Sequence, residues 1–152
     1  MQLSSSAFSE NQQIPSVYSC DGQNSNPPLA WSEVPTAAKS LALIMEDPDV
    51  PRNLRPDGLF VHWIAWNIPP ITTEIVEHIQ PAGVIGKNTA GRLGYTGPCP
   101  PDREHRYYFR LYALDCELLL PSSVSKGELV QAMTGHILDQ AELLGRYARI
   151  KR

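Results

Sequence analysis

The stretch "SLALIMEDPDVP", Ser40 to Pro51, sets an apolar run against a stop built from three acids and two prolines. A short apolar run bounded by turn signals reads as a buried strand, here Ser40 to Glu46. Pro48 and Pro51 fix their own φ angles and push Asp47 and Val50 toward extended backbone, so the turn that follows is stiff. A sharp X–Pro turn is where a cis bond is usually kept, and Val50–Pro51 is expected to be cis. The acids have two readings: they end a strand, or they hold carboxylates in place for a purpose. On the second reading Asp47 faces a ligand, while Asp49 braces the turn or a neighbouring histidine.

Two further strands stand out. Leu59 to Ile68, "LFVHWIAWNI", is rich in β-branched and aromatic residues. Strict alternation puts Phe60, His62, Ile64 and Trp66 on one face and Val61, Trp63 and Ala65 on the other. Arg106 to Leu114, "RYYFRLYAL", places Tyr107, Phe109, Leu111 and Ala113 together, with His105 in the same parity. One helix is expected. Ser125 and Glu128 fit a capping box; Leu129, Ala132, Met133, Ile137, Ala141 and Leu144 follow helical spacing, and Gly145 would cap the end. His136, on the side of Leu129 and Met133, then reads as a packed structural histidine. The chain up to about Pro35 is rich in turn residues and irregular. A mainly β fold results, with antiparallel strands, long loops and one terminal helix over part of the sheet.

Composition narrows the function. A chain of 152 residues suits a single domain spanning 1–152. The net charge of −3, with no basic cluster, argues against nucleic acid. No apolar stretch approaches the length of a membrane span, and the N-terminus lacks the basic and apolar regions of a signal peptide. Three cysteines, Cys20, Cys99 and Cys116, an odd count without a CxxC, read as free thiols in a reducing cytoplasm.

The candidate chemistry centres on two histidines. His62 lies within an apolar strand, where an unpaired ring is costly to bury. His105 opens another strand after "GYTGPCPPDRE". Each alone could be a satisfied core residue. If the strands bring Asp47, Asp49, His62, His105 and Tyr107 together, a carboxylate orients an imidazole, and imidazolium and phenol donate to an oxyanion. Gly97 to Pro101 would form a rigid wall. That is a small pocket for phosphate or carboxylate. The same residue types permit a transition-metal site, and Cys99 near His105 permits a cysteine nucleophile. HExxH and GxSxG are both absent.

"SLALIMEDPDVP", "HWIAWNIP", "GYTGPCPP" and "HRYYFRLYALD", in this order and spacing, resemble the signatures of the phosphatidylethanolamine-binding protein family, and most of all its short bacterial and archaeal branch, which is Raf-kinase-inhibitor-like. The resemblance covers nearly the whole chain: "YSCDGQNSNPPLAW" is similar to the branch's N-terminal segment, and "MTGHILDQAELLGRYAR" to its C-terminal helix. It implies a central antiparallel Greek-key sheet, a smaller second sheet, and a C-terminal helix. It implies ligand-binding by Asp47, Asp49, Pro51, His62, Gly97, Pro100, His105 and Tyr107, in a pocket for phosphate, phospholipid headgroups or small carboxylates. No cofactor and no metal are expected, since the usual metal-ligand spacings are absent. The expected protein is a cytoplasmic binding protein rather than an enzyme, one that modulates a protein partner such as a kinase, with a homodimer as a further possibility; the alternative is a hydrolase of small esters or phosphoesters. One departure stands out: "DRE", Asp102 to Glu104, replaces the family's usual glycine before His105. Arg103 is expected to face solvent.

Overall fold

The computed structural model describes residues 1–150. In chain order the strands are β1 (Gln2–Ser4), β2 (Gln12–Gln13), β3 (Leu29–Ser32), β4 (Ser40–Asp47), β5 (Phe60–Ile68), β6 (Glu74–Ile75), β7 (Val84–Ile85), β8 (His105–Leu114) and β9 (Ile137–Tyr147). Among the described residues there is one α-helix, α1 (Lys126–Met133), which precedes β9. The large sheet runs β2-β9-β8-β4-β5-β7, antiparallel throughout except for the β2–β9 pair, and the small sheet runs β1-β3-β6. The fold is mainly β, as the sequence predicts.

The central strand β4 explains the arrangement. All eight of its residues are buried, because it is paired on both edges, by β5 and β8, and covered on both faces. Strands buried in this way read as continuous rather than alternating apolar runs. On one face Leu41, Leu43 and Met45 join Trp63, Phe109 and Leu111 with Leu3, Leu29 and Trp31 of the small sheet. On the other, Ala42 and Ile44 join Ile64 and Trp66 with Leu129 and Met133 of α1. Three layers result: small sheet, large sheet, helix.

The expected helix is half right. Its capping box forms, with the Ser125 N–H donating to Glu128 Oε1 at 3.4 Å. The helix stops at Met133, however, and Gly135 takes φ +84°, a left-handed conformation that turns the chain. Ile137 to Tyr147 is then a strand paired with β8 along its whole length. Its apolar residues fit both periods; the free edge of β8 decides the matter, since its backbone groups need partners. Gly145 is not a helix cap but sits inside the sheet, opposite Tyr107 and Gln12. His136 is not packed in the core: it is exposed in the turn and bonds Asp115 through Nδ1 at 2.7 Å.

Two further expectations fail. No peptide bond among the described residues is cis, so Val50–Pro51 is trans; the chain turns after Pro51 by bonding Leu54 N–H and Arg55 N–H to the Pro51 carbonyl, at 2.9 and 3.1 Å. Cys20 and Cys99 are not free thiols but form a disulfide, with Cα atoms 5.5 Å apart, and only Cys116 is free. Their separation of 79 residues gives no local spacing that could announce the pair. With the disulfide present, the cysteine count no longer points to a reducing compartment. Among the described residues, no helix is long and apolar enough to cross a membrane.

Candidate functional site

The C-terminal end of β4, the start of β5 and the start of β8 meet at one end of the large sheet. A cavity of about 360 Å³ opens there, walled by Asp47, Phe60, His62, Thr96, Gly97, Pro100 and His105, with Leu54 and Arg55 from the turn after β4.

His62 reaches this cavity through a break in the alternation of β5. Met45 pairs with Trp63 and Glu46 with Val61, so His62 is the extra residue of a β-bulge. Strict alternation would put it with Ile64 and Trp66 under α1. The bulge instead re-aims it to the other face, where its ring lies 5.3 Å from that of Tyr107, edge to face. The face assignment made from sequence therefore fails on the N-terminal side of the bulge: Phe60 and His62 leave the face of Ile64 and Trp66, and Val61 joins it. Its Nδ1 lies 2.7 Å from the Thr96 carbonyl, which can only accept, so Nδ1 carries the proton. Burial pulls its pKa down from 6.5 to about 4. The ring is thus neutral near pH 7, and Nε2 keeps its lone pair.

His105 differs. It is fully buried, and each ring nitrogen meets a carboxylate: Nδ1 lies 2.6 Å from Asp47 Oδ2, and Nε2 lies 2.6 Å from Asp102 Oδ1. Each contact requires a proton between its two heavy atoms. Asp47 is itself only 4% exposed, and burial raises its pKa despite the hydrogen bonds from His105 and from the Asp49 N–H (2.7 Å, to Oδ1). Asp102 is 41% exposed, and the bond from His105 holds its carboxyl below the usual range.

Tyr107 sits behind the two imidazoles. Its side chain is wholly buried, yet its hydroxyl has no hydrogen-bond partner. Burial, and secondarily the charge of Asp47, raises its pKa strongly. Asp47 is near enough to exert that effect, but it does not meet hydrogen-bond geometry with the phenol. A buried unsatisfied hydroxyl costs about 1–3 kcal/mol.

The wall from Gly97 to Pro101 is fastened to the N-terminal loop. Gly97 N–H donates to Asn24 Oδ1 at 2.7 Å, Cys20 N–H donates to the Pro98 carbonyl at 3.1 Å, and the Cys20–Cys99 disulfide joins the two segments. A Cβ at position 97 would lie 2.1 Å from the Tyr18 carbonyl oxygen, so only glycine lets the segments approach this closely.

Of the residues singled out from sequence, Asp47, His62, Gly97, Pro100 and His105 line the cavity. Asp49, Pro51 and Tyr107 do not. Asp49 accepts from Arg106 N–H (2.9 Å), Nε (2.9 Å) and a terminal nitrogen (2.7 Å), which ties the turn to β8 and lowers its pKa. Pro51 starts the turn that carries Leu54 and Arg55 to the rim. Arg103 is 62% exposed. Sequence reasoning missed Phe60, Thr96, Arg55 and above all Asp102; the only signal for the last was its place three residues before His105, next to two prolines. The alternative chemistries find little here. Cys99 is held in the disulfide, which removes the cysteine nucleophile. Among the described residues, the one group spaced like a metal site is Asp115, Cys116 and His136, at the other end of β8.

Comparison with known proteins accounts for this architecture. The phosphatidylethanolamine-binding protein family profile matches residues 4–148. A UPF0098 protein of Chlamydia muridarum is 55% identical, with 97% of this chain and 98% of that protein covered. A UPF0098 protein of Methanothermobacter thermautotrophicus is 48% identical over 98% of this chain and 99% of its own. The crystal structure of CT736 from Chlamydia trachomatis, described as a phosphatidylethanolamine-binding protein (PEBP) homolog, superposes with a TM-score of 0.95 at 52% identity, covering 98% of this chain and 97% of that one. Escherichia coli YbcL, a member of the mammalian PEBP family, superposes with a TM-score of 0.86 at 32% identity, covering 99% of this chain and 98% of that one. With the family profile spanning nearly its whole length and close relatives matching end to end, the chain belongs to the phosphatidylethanolamine-binding protein family, in its UPF0098 group.

Proposed function

We propose that the chain is a binding protein that recognises a small anionic group, a phosphate, a phospholipid headgroup or a carboxylate, in the cavity between His62 and His105. The observation that carries this reading is the convergence of His62, His105, Thr96 and Arg55 on one cavity at the end of the large sheet. A cavity with an apolar lining and a few convergent polar groups is the usual form of a small-ligand site. Arg55 at the rim supplies positive charge, and Asp47 fixes the orientation of His105.

The roles of the two histidines differ from the sequence expectation. His62, neutral with a bare Nε2, suits a protonated oxygen on the ligand, such as the P–OH of a monohydrogen phosphate. His105 suits an ionised oxygen once its Nε2 proton is available. The hydrolase alternative has a weaker basis. Its one unshared base is His62 Nε2, whose basicity burial has reduced, and the lining holds no serine or free cysteine to activate.

Soaking crystals with phosphate or phosphoethanolamine tests the proposal. Density for the anion within reach of His62 and His105 is the expected result, and His62→Ala should weaken binding at least tenfold. An anion bound elsewhere, or His62→Ala binding with unchanged affinity, would sink it.

A further inference from the structure

We propose that Asp102 is a built-in competitor for the ligand: its carboxylate holds the His105 Nε2 proton that a bound anion takes, and an anion binds by displacing it. This inference rests on the anion-pocket reading above and adds a residue that controls the pocket's affinity.

The two carboxylates on His105 are built differently. Asp47 comes from the end of a central strand, is 4% exposed, and has both oxygens fixed, one on His105 and one on the Asp49 N–H. It is a permanent support. Asp102 belongs to an irregular stretch between Pro101 and the start of β8 and is 41% exposed. Its contact with His105 involves one oxygen; the other lies 3.8 Å from Arg103 Nε on the solvent side. Rotating this side chain away would disturb no strand and no core contact, and it would leave the carboxylate in water beside Arg103.

Counting donors shows what the displacement changes. With Asp102 in place, both nitrogens of His105 are committed, although the residue lines the cavity. His62 offers a lone pair. Arg55 and Thr96 are then the lining side chains left to donate to an anion. Once Asp102 leaves, the His105 Nε2–H becomes free, already oriented by the buried Asp47. An oxyanion oxygen can replace a carboxylate oxygen there with the same geometry and charge. The resting protein therefore holds an internal mimic of its ligand, and its apparent affinity is reduced by the fraction of molecules in which Asp102 is closed.

The test is calorimetric titration of the folded protein with inorganic phosphate and, separately, with phosphoethanolamine. Asp102→Ala and Asp102→Asn are compared with wild type and with Glu104→Gln, an exposed acid two residues away. The proposal expects Asp102→Ala to bind phosphate about tenfold more tightly, as it must if roughly nine molecules in ten are closed. Asp102→Asn should lie between it and wild type, because an amide oxygen still accepts but without charge. Glu104→Gln should change affinity less than threefold. Gains with phosphoethanolamine but not phosphate would still support the competition and would assign the pocket to headgroups. An equal gain in Glu104→Gln would overturn it, since loss of local negative charge would then explain everything. Weaker binding in both Asp102 variants would overturn it as well, by making Asp102 a support like Asp47. If neither wild type nor any variant binds either probe, the anion-pocket reading itself fails and the competition with it; binding by wild type with no gain in the variants fails the competition alone.

Discussion

Two aspartate–histidine pairs hang from the two ends of β8, and they are nearly the same pair. Asp47 and His105 meet at 2.6 Å at its start; Asp115 and His136 meet at 2.7 Å just past its end. The distances do not distinguish them, but the surroundings do. The first pair is buried between β4, β5 and the Gly97–Pro101 wall, and the second has both side chains nearly half exposed. Burial removes the water that would otherwise solvate either partner, so the first pair depends on its own geometry and the second does not. A short Asp–His contact is thus no evidence of a site by itself. What marks the β4–β8 end is the cavity, the orphan Tyr107 hydroxyl and the braced wall around the pair.

Removing one carboxylate from each pair gives the widest separation. Asp47→Ala leaves His105 buried without its orienting partner and should cost about 3–5 kcal/mol. Urea denaturation at pH 7 measures it; a loss below about 1 kcal/mol would make the two ends equivalent and break the comparison. Reducing the Cys20–Cys99 disulfide frees the pocket wall and, by the loop-entropy argument, should cost about 2–4 kcal/mol. Melting with and without reductant checks this, and an unchanged melting temperature would contradict it.

Acid should also find the buried end first. The unfolded His62 ring takes a proton near its ordinary pKa of 6.5, whereas the folded ring resists until about 4. Between those values the unfolded chain binds more protons, so stability is fully present above pH 6.5 and falls as pH drops toward 4. The loss approaches about 3 kcal/mol, at 1.36 kcal/mol per pKa unit. In His62→Phe this part of the slope should vanish; parallel pH profiles for wild type and variant would refute the assignment. The smallest effect belongs to the exposed pair: Asp115→Ala should change stability by less than about 1 kcal/mol, read from the same urea curves.

Much of the fold was legible because its strands carry simple patterns. The apolar run of β4 is buried on both sides, and β5 and β8 were placed to within a residue or two. What was missed depended on partners distant in sequence. Residues 137–147 read as helix because leucines and alanines fit either period, and only the open edge of β8 makes them a strand. The bulge at His62 is a register shift between two strands, invisible in either alone. The Cys20–Cys99 pair spans 79 residues. At the site, Asp47, His62 and His105 were found because unusual polar residues in apolar strands stand out. Asp102 was noticed only as a departure near the mouth, because nothing in "DRE" says which of its three side chains turns inward.

The central claim is that the buried pair, with His62 beside it, forms a place for an anion, and the four histidines report on it directly. Side-chain nitrogen NMR of the wild-type protein, titrated with phosphate at pH 7, follows His62, His78, His105 and His136 at once. The account predicts saturable shifts at His62 and His105, with His136 and His78 unmoved. Shifts confined to His136 or His78, or no saturable change at any of the four, would contradict it.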